Sequence, residues 1–434
     1  PGEEKIQIRD FKTPTFEVLL AQRGARLVLA EGFVMTRGKE AVESGRERLK
    51  ELFAHFLAAH EAGESGPKLR YLESAGVRSA LPGGMPLAEL MIDFKQLMKL
   101  LEMPEAEQAK AIIKACGLDQ VGQLVYRSTF EHSLMRSGAF VGAPSPRNGL
   151  LALLDQPTVS GQPPAWVPSE MINFGQLSLD LGKAYSRIKQ IIIDQGGDPA
   201  RNNFDLVEGQ VNQLLQTDIA SLLSALGTHH SSVDLPPRKT DVAMGPEGLA
   251  GLTGSNVFVW KLTDEALWKR VIQTAAVLSQ KEMVEEQGFQ GIRIDQGQVR
   301  LGVFVGRGYL VAGGGGSDTL ETVLSNLRNP PAGAAGLAGS RLFQRASELL
   351  PPRPGLAYSV TDMNRYAKTL RGAVVAFTEL AAGDEDSDTA VIDLIRSLIP
   401  SEDELNGVLG ASATQSWVDE HGVTVRGVAE LPAP

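Results

Sequence analysis

The residues whose types could do chemistry come in small groups, and each group is weighed by its spacing. Four consecutive glycines, Gly313 to Gly316, follow the apolar stretch Tyr309-Leu310-Val311-Ala312 and precede Ser317, Asp318 and a helix-forming segment. Backbone amides at such a helix start can hold phosphate. The phosphate loop needs Gly-Lys-Ser/Thr, which is missing, and the dinucleotide fingerprint needs G-x-G-x-x-G, which Gly313, Gly315 and Asp318 do not satisfy. The segment is therefore expected to be a flexible turn capped by Ser317 or Asp318.

His229 and His230 stand beside Ser231, Ser232 and Asp234. On an extended segment adjacent side chains point to opposite faces, so the two imidazoles cannot chelate one ion, and a turn leading into Pro236-Pro237 is expected instead. His55 and His60 are five residues apart on a helical pattern and do not share a face as an i, i+4 zinc pair does. Glu89 with Asp93, and Asp362 with Glu379, are pairs of carboxyl groups. Glycosidase chemistry needs two such groups across a cleft. Asp93 and Thr361 fall where helices begin, so capping is the expected role.

Cys116 ends an amphipathic stretch with no His or basic group beside it to lower its pKa, and reads as a structural thiol. The acids in the segment 383–388 lack the order of a calcium loop. Neither G-x-S-x-G nor His-Glu-x-x-His occurs. No catalytic, cofactor-binding or metal-binding residue is assigned. A hydrolase would need His132, His229 or His421 to meet a Ser and a carboxylate in space.

The elements that would position such groups follow a plan. A short alternating strand runs into a capping residue and a helix at residues 87–100, and Asp93 with Gln96 fits a capping box. The same unit returns at 177–185, 257–268 and 356–366. Between the units lie strand patterns at 123–131, 292–295, 299–305 and 309–312, and a strand, turn and strand spans 414–428. Gly306-Arg307-Gly308 and Asp295-Gln296-Gly297-Gln298 carry hairpin chemistry.

The first 40 residues alternate short apolar runs with turns, and Leu49, Leu52, Phe53, Phe56 and Leu57 mark an amphipathic helix over 41–60 that Gly63 to Pro67 stops. These patterns predict an α+β protein: an N-terminal arm and helix at 1–66, then two similar halves at 67–240 and 250–434. Each half is expected to be a mainly antiparallel sheet with helices packed on one face. The apolar faces around Leu97, Met98, Leu100 and Leu101, and around Tyr185, Ile188, Ile191 and Ile192, are expected to be core, with a lipid cavity as the alternative.

With 434 residues, 43% of them hydrophobic and 22% charged, the chain can bury a large core. Its 42 basic and 52 acidic residues give a net charge of −10, which argues against nucleic acid as a partner. No run of about 18 apolar residues marks a membrane span. A chain that begins at Pro1 fits the removal of a leader.

Three segments, Tyr358 to Asp362, Gly410 to Val423 and Gly308 to Ala312, together resemble a group of uncharacterised exported bacterial proteins of a domain-of-unknown-function family. The likeness covers mainly residues 250–434. It implies a periplasmic or secreted location and brings no catalytic residues with it. The expected function is therefore a non-enzymatic structural or protein-interaction component of the bacterial envelope or exterior, partnered by other protein subunits. A carrier of a hydrophobic small molecule or lipid is the alternative.

Overall fold

The computed structural model describes residues 7–13, 16–23, 26–33, 77, 80–83, 86–99, 107–236, 255–296, 299–315, 318–382, 396–405 and 409–431. The chain forms two compact units, Pro1–Ser74 and Ala75–Pro434. In the first, β1 (Gln7–Thr13), β2 (Phe16–Arg23) and β3 (Arg26–Phe33) make an antiparallel meander with Phe16 opposite Phe33. Of strands or an extended arm, the two readings open to the alternating apolar runs of this stretch, the described residues form strands, and the helix expected over 41–60 lies outside the described residues.

The second unit opens with β4 (Pro86–Asp93), α1 (Phe94–Lys99), α2 (Glu107–Ala115), β5 (Gln123–Glu131) and β6 (Leu134–Gly142). Then come β7 (Asn173–Ser178), α3 (Leu181–Leu215), α4 (Ile219–Ser224), β8 (His229–Asp234), β9 (Asn256–Lys261) and α5 (Glu265–Ser279). A run of strands follows: β10 (Met283–Glu286), β11 (Phe289–Gln296), β12 (Val299–Gly306) and β13 (Tyr309–Gly315). The chain closes with α6 (Thr319–Arg328), α7 (Arg341–Leu349), β14 (Ala357–Asp362), α8 (Met363–Ala382), α9 (Glu402–Leu405), β15 (Ala411–Val418) and β16 (Gly422–Glu430).

All thirteen strands of this unit join one sheet in the order β10-β11-β12-β13-β9-β8-β7-β14-β15-β16-β6-β5-β4, and every neighbouring pair is antiparallel. Strands from 67–240 and from 250–434 meet at three joints: β8 with β9, β7 with β14, and β6 with β16.

The four expected strand-then-helix units are all present, and one device builds each. Asp93, Asp180, Asp264 and Asp362 accept backbone N–H bonds from Lys95, Lys183, Leu267 and Arg365, each at 2.9 Å. A carboxylate there satisfies amides that the first helical turn leaves without partners, and its charge suits the positive end of the helix dipole.

The expected placement of helices on one face does not hold. Along β9 the buried Val257 and Val259 belong to the main core with Val311, Phe304, Phe174 and Val360, covered by α6 through Leu320, Val323 and Leu324 and by α7 through Phe343 and Ala346. The alternate residue Trp260 packs on the other face with Val305 and Leu310, beneath Trp268 and Ile272 of α5 and Leu223 of α4. The reason lies in the strands: Val303-Phe304-Val305 and Leu310-Val311 carry consecutive apolar residues, so both faces demand cover.

The glycine run is also not a turn. Gly313, Gly314 and Gly315 are paired residues of β13, between β12 and β9. A Cβ at Gly313 would stand 2.3 Å from the Asn256 carbonyl oxygen, and one at Gly314 would stand 2.1 Å from that of Arg300. Glycine is demanded by close backbone approach rather than by chain reversal. Asp318 precedes α6 without a side-chain cap bond, and Ser317 lies outside the described residues. Gly313→Ala is therefore expected to cost about 2–4 kcal/mol, from overpacking combined with a φ of +151°. A urea-unfolding midpoint equal to that of the unsubstituted chain would contradict this.

Candidate functional site

The sequence-singled residues are mostly held in structural roles. His229 and His230 lie in β8, not in a turn, and their side chains do point to opposite faces, as extended backbone requires. The exposed His229 ring has its Nε2 3.3 Å from the Thr158 carbonyl oxygen. His230 has its Nε2 2.6 Å from that of Leu179, and burial lowers its pKa despite this bond. His132 and His421 sit in the turns at opposite ends of the β6–β16 ladder, where Leu134 pairs with Glu430 and Gly142 with Gly422. Both are exposed.

Glu89 is bound to Arg127 at 3.0 Å, and Asp93 is a cap. Asp362 is likewise a cap, while Thr361 donates to Asn173 at 2.9 Å. Cys116 is half-buried at the end of α2. Among the described residues no group of three His, Cys, Asp or Glu side chains could hold a metal ion. His55, His60 and the acids of 383–388 lie outside the described residues.

Sequence reasoning missed a cleft of about 380 Å³ lined by Arg147, Asp155, Gln156, Arg353 and Trp417. The buried Arg147 donates to the carbonyl oxygens of Ala143 and Asp419 and to the carboxylate of Asp155, which welds a loop to the β15–β16 turn. Arg353 lies 4.0 Å over the Trp417 ring, and Arg426 stands 5.7 Å from its centre. Burial, and then the Arg353 charge, hold Arg426 below the usual arginine range. None of the lining residues is a His, Cys or Lys. Only long-range pairing brings these groups together, and no local signal marks them.

The feature with the clearest outward surface is α3. Helical backbone is interrupted at Gly197 (φ 62°, ψ −149°), and the chain resumes with Asp198 and Pro199, a pair suited to starting a helix. The result is an antiparallel helical hairpin. Tyr185 donates to Glu208 at 2.5 Å, Lys189 binds the other Glu208 oxygen at 2.6 Å, and Lys189 also lies 5.9 Å from the Phe204 ring centre.

The base of the hairpin is fixed. Arg187 donates to the Gly149 carbonyl oxygen at 3.1 Å, and Gly182 allows close approach to Ser224 and the Ala220 carbonyl of α4. The rest stands in solvent: between Asp194 and Val207 only Ala200 and Phe204 are not exposed.

The expectation that Tyr185, Ile188, Ile191 and Ile192 form plain core is corrected for Ile188 and Ile192, while Tyr185 and Ile191 are half-buried. Ile188 is 44% and Ile192 43% exposed, and on the second arm Val207 is 53% and Leu214 50% exposed. With Tyr185, Lys189, Phe204 and Glu208 facing between the arms, helical spacing puts Ile188, Ile192, Val207 and Leu214 on one side of the hairpin. The periodicity was legible, but nothing local told whether a partner element would cover it. On α8, Tyr366, Leu370 and Phe377 are likewise exposed.

No protein-family model, no curated protein and no solved structure matches the chain. No helix among the described residues is long and apolar enough to cross a membrane.

The clip between the arms is sensitive to pH. Hydrogen bonds from Lys189 and then Tyr185 hold Glu208 below the usual glutamate range, while burial and the Glu208 contact push Tyr185 up to about 12. A carboxylate with a depressed folded pKa adds stability above its unfolded value of about 4.3, and this is lost as pH falls through the folded value. Amide hydrogen exchange over 198–215, measured against the sheet, is expected to quicken below pH of about 4.3. In Glu208→Gln it is expected to be quick at neutral pH too. Equal protection in both proteins at both pH values would show that the clip contributes nothing.

Proposed function

We propose that this chain is a non-enzymatic protein-interaction component of the bacterial envelope or exterior, working through surfaces rather than a reactive centre. One observation carries the reading: a hairpin anchored at its base presents an apolar side to solvent, with Ile188 and Ile192 near half exposure. Water-facing apolar side chains clustered on a projecting element are the usual mark of a binding surface. Asp93, Asp180, Asp264 and Asp362 are occupied as caps, Arg147 as a tether and Glu89 in an ion pair, which is consistent with a scaffold.

The location rests on the resemblance to exported bacterial proteins carried by residues 250–434. The same reading treats the halves 67–240 and 250–434 as two renderings of one plan, supported by the recurring order of strand, aspartate cap and helix.

A photo-reactive amino acid at Ile192, in the full chain expressed in its host, tests the reading. A discrete protein adduct is expected, and it should vanish when Ile188→Glu is added. A matched label at the exposed Asp205, on the opposite side of the same hairpin, is expected to give none. Labelling of lipid alone, or lipid-sized adducts on the purified protein in native mass spectrometry, would instead favour the carrier.

A further inference from the structure

We infer that the outer edge of β4 is a self-pairing site: two copies of this chain join there by antiparallel strand addition about a dyad at Leu90, so that their sheets run on as one. Among the described residues the sheet ends at β10 and β4, and the two edges differ. β10 is four residues long and ends in Glu285 and Glu286, the short, charged form that keeps an edge from pairing. β4 is eight residues long, and Leu87, Ala88, Glu89 and Leu90 in succession are exposed, Leu87 at 68% and Leu90 at 50%. Successive side chains point to opposite faces, so this run leaves both faces and the rim between them open. Its one charge, Glu89, is turned back onto Arg127 of β5 at 3.0 Å and does not guard the edge.

The backbone decides what covers such an edge. Phe94 donates its N–H to the Gly122 carbonyl oxygen at 3.1 Å, in the register that sets Asp93 opposite Gln123. Alternation then turns the N–H and C=O groups of Ala88, Leu90 and Ile92 inward to β5 and those of Glu89 and Met91 outward. Outward peptide groups in a row are satisfied by another extended strand. The irregularity between Pro86 and Ala88 lies ahead of this stretch and leaves 88–92 in register.

That strand is β4 of a second copy, because the stretch complements itself. Outward groups must meet outward groups, so Glu89 and Met91 oppose odd-numbered positions of the second copy. A dyad at Leu90 lays 88–92 of one copy on 88–92 of the other. Glu89 of each copy then exchanges N–H and C=O bonds with Met91 of the other, Ala88 faces Ile92, and Leu90 faces Leu90 at a position without hydrogen bonds, where side chains stand closest. Moving the dyad to Glu89 or to Met91 would set Glu89 opposite the second copy's Glu89 or Asp93, acid against acid. The contact uses the same patch on both sides and closes at two copies. It is short, under the about 1,000 Å² of a lasting interface, so the dimer exchanges with monomer.

Sedimentation of the full chain is the test. The mass is expected to rise from 46.5 kDa toward twice that value between about 10 and 300 µM, as so small an interface implies. Met91→Pro removes an outward N–H and no bond to β5, and is expected to leave the chain folded and monomeric throughout. Leu90→Lys sets like charges against each other on the dyad and is expected to weaken pairing at least about tenfold. Mixed with Leu90→Glu chains it is expected to regain a dimer, which a misfolded variant would not do. In a Cys116→Ser background, Leu90→Cys is expected to close a disulfide homodimer under mild oxidation, because paired Cα atoms at such a position lie about 4.5 Å apart.

A chain still monomeric at about 300 µM, or a dimer that both Met91→Pro and Leu90→Lys leave intact, overturns the inference. Neither result bears on the α3 hairpin, whose Ile192 label reads a different surface.

Discussion

The second unit depends on an unbroken ladder of antiparallel backbone pairing across thirteen strands. Hairpins supply part of it cheaply, as in β5–β6, β11–β12 and β15–β16, where the turn sets the register. The joints β7–β14 and β6–β16 are different, because they bring together segments separated by more than a hundred residues. Their closure costs chain entropy that local contacts cannot offset, so these joints are expected to form late and to be rewarded by core burial. Tyr358 and Val360 of β14 and Val428 of β16 lie at those joints, Ala411 and Ala413 lie on β15 between them, and all five belong to the main core, which is that reward.

The sheet also decides what the polar residues do. Gln176, Tyr358, Gln415 and Arg426 fall in one cross-strand row, on the face that α7 covers. The Gln176 and Gln415 side-chain carbonyls and the Tyr358 hydroxyl have no hydrogen-bond partner among the described residues. Tyr358 faces Ser347 without reaching bonding geometry, and burial pushes it up to about 12. Such a row fixes register, since a one-residue slip of a strand would turn its side chain out of the row and onto the opposite face of the sheet.

The four aspartate caps are the points where sheet becomes surface. At Asp264 the helix that follows folds back and buries Leu267, Val271 and Ile272. At Asp180 the helix buries little beyond Gly182, Ala184 and Ile193, turns at Gly197 and returns on itself. The same local device therefore yields a covering helix in one place and a projecting arm in another. What differs is the cover available: α5 finds Trp260 and Val305 beneath it, whereas the outer part of α3 meets its own second arm.

Sequence alone determined the α+β class, the alternation that makes the strands, and all four strand-then-helix units, because these follow from spacing of two or 3.6 residues and from a carboxylate placed at a helix start. It also separated the side chains of His229 and His230, since extended backbone leaves no choice. Tertiary structure decided the rest. It made strand residues of Gly313 to Gly315, because only the approach of Asn256 and Arg300 demands the missing Cβ. It placed helices on both faces and left Ile188 and Ile192 uncovered. Periodicity states which residues share a face, and only the folded chain states what that face meets.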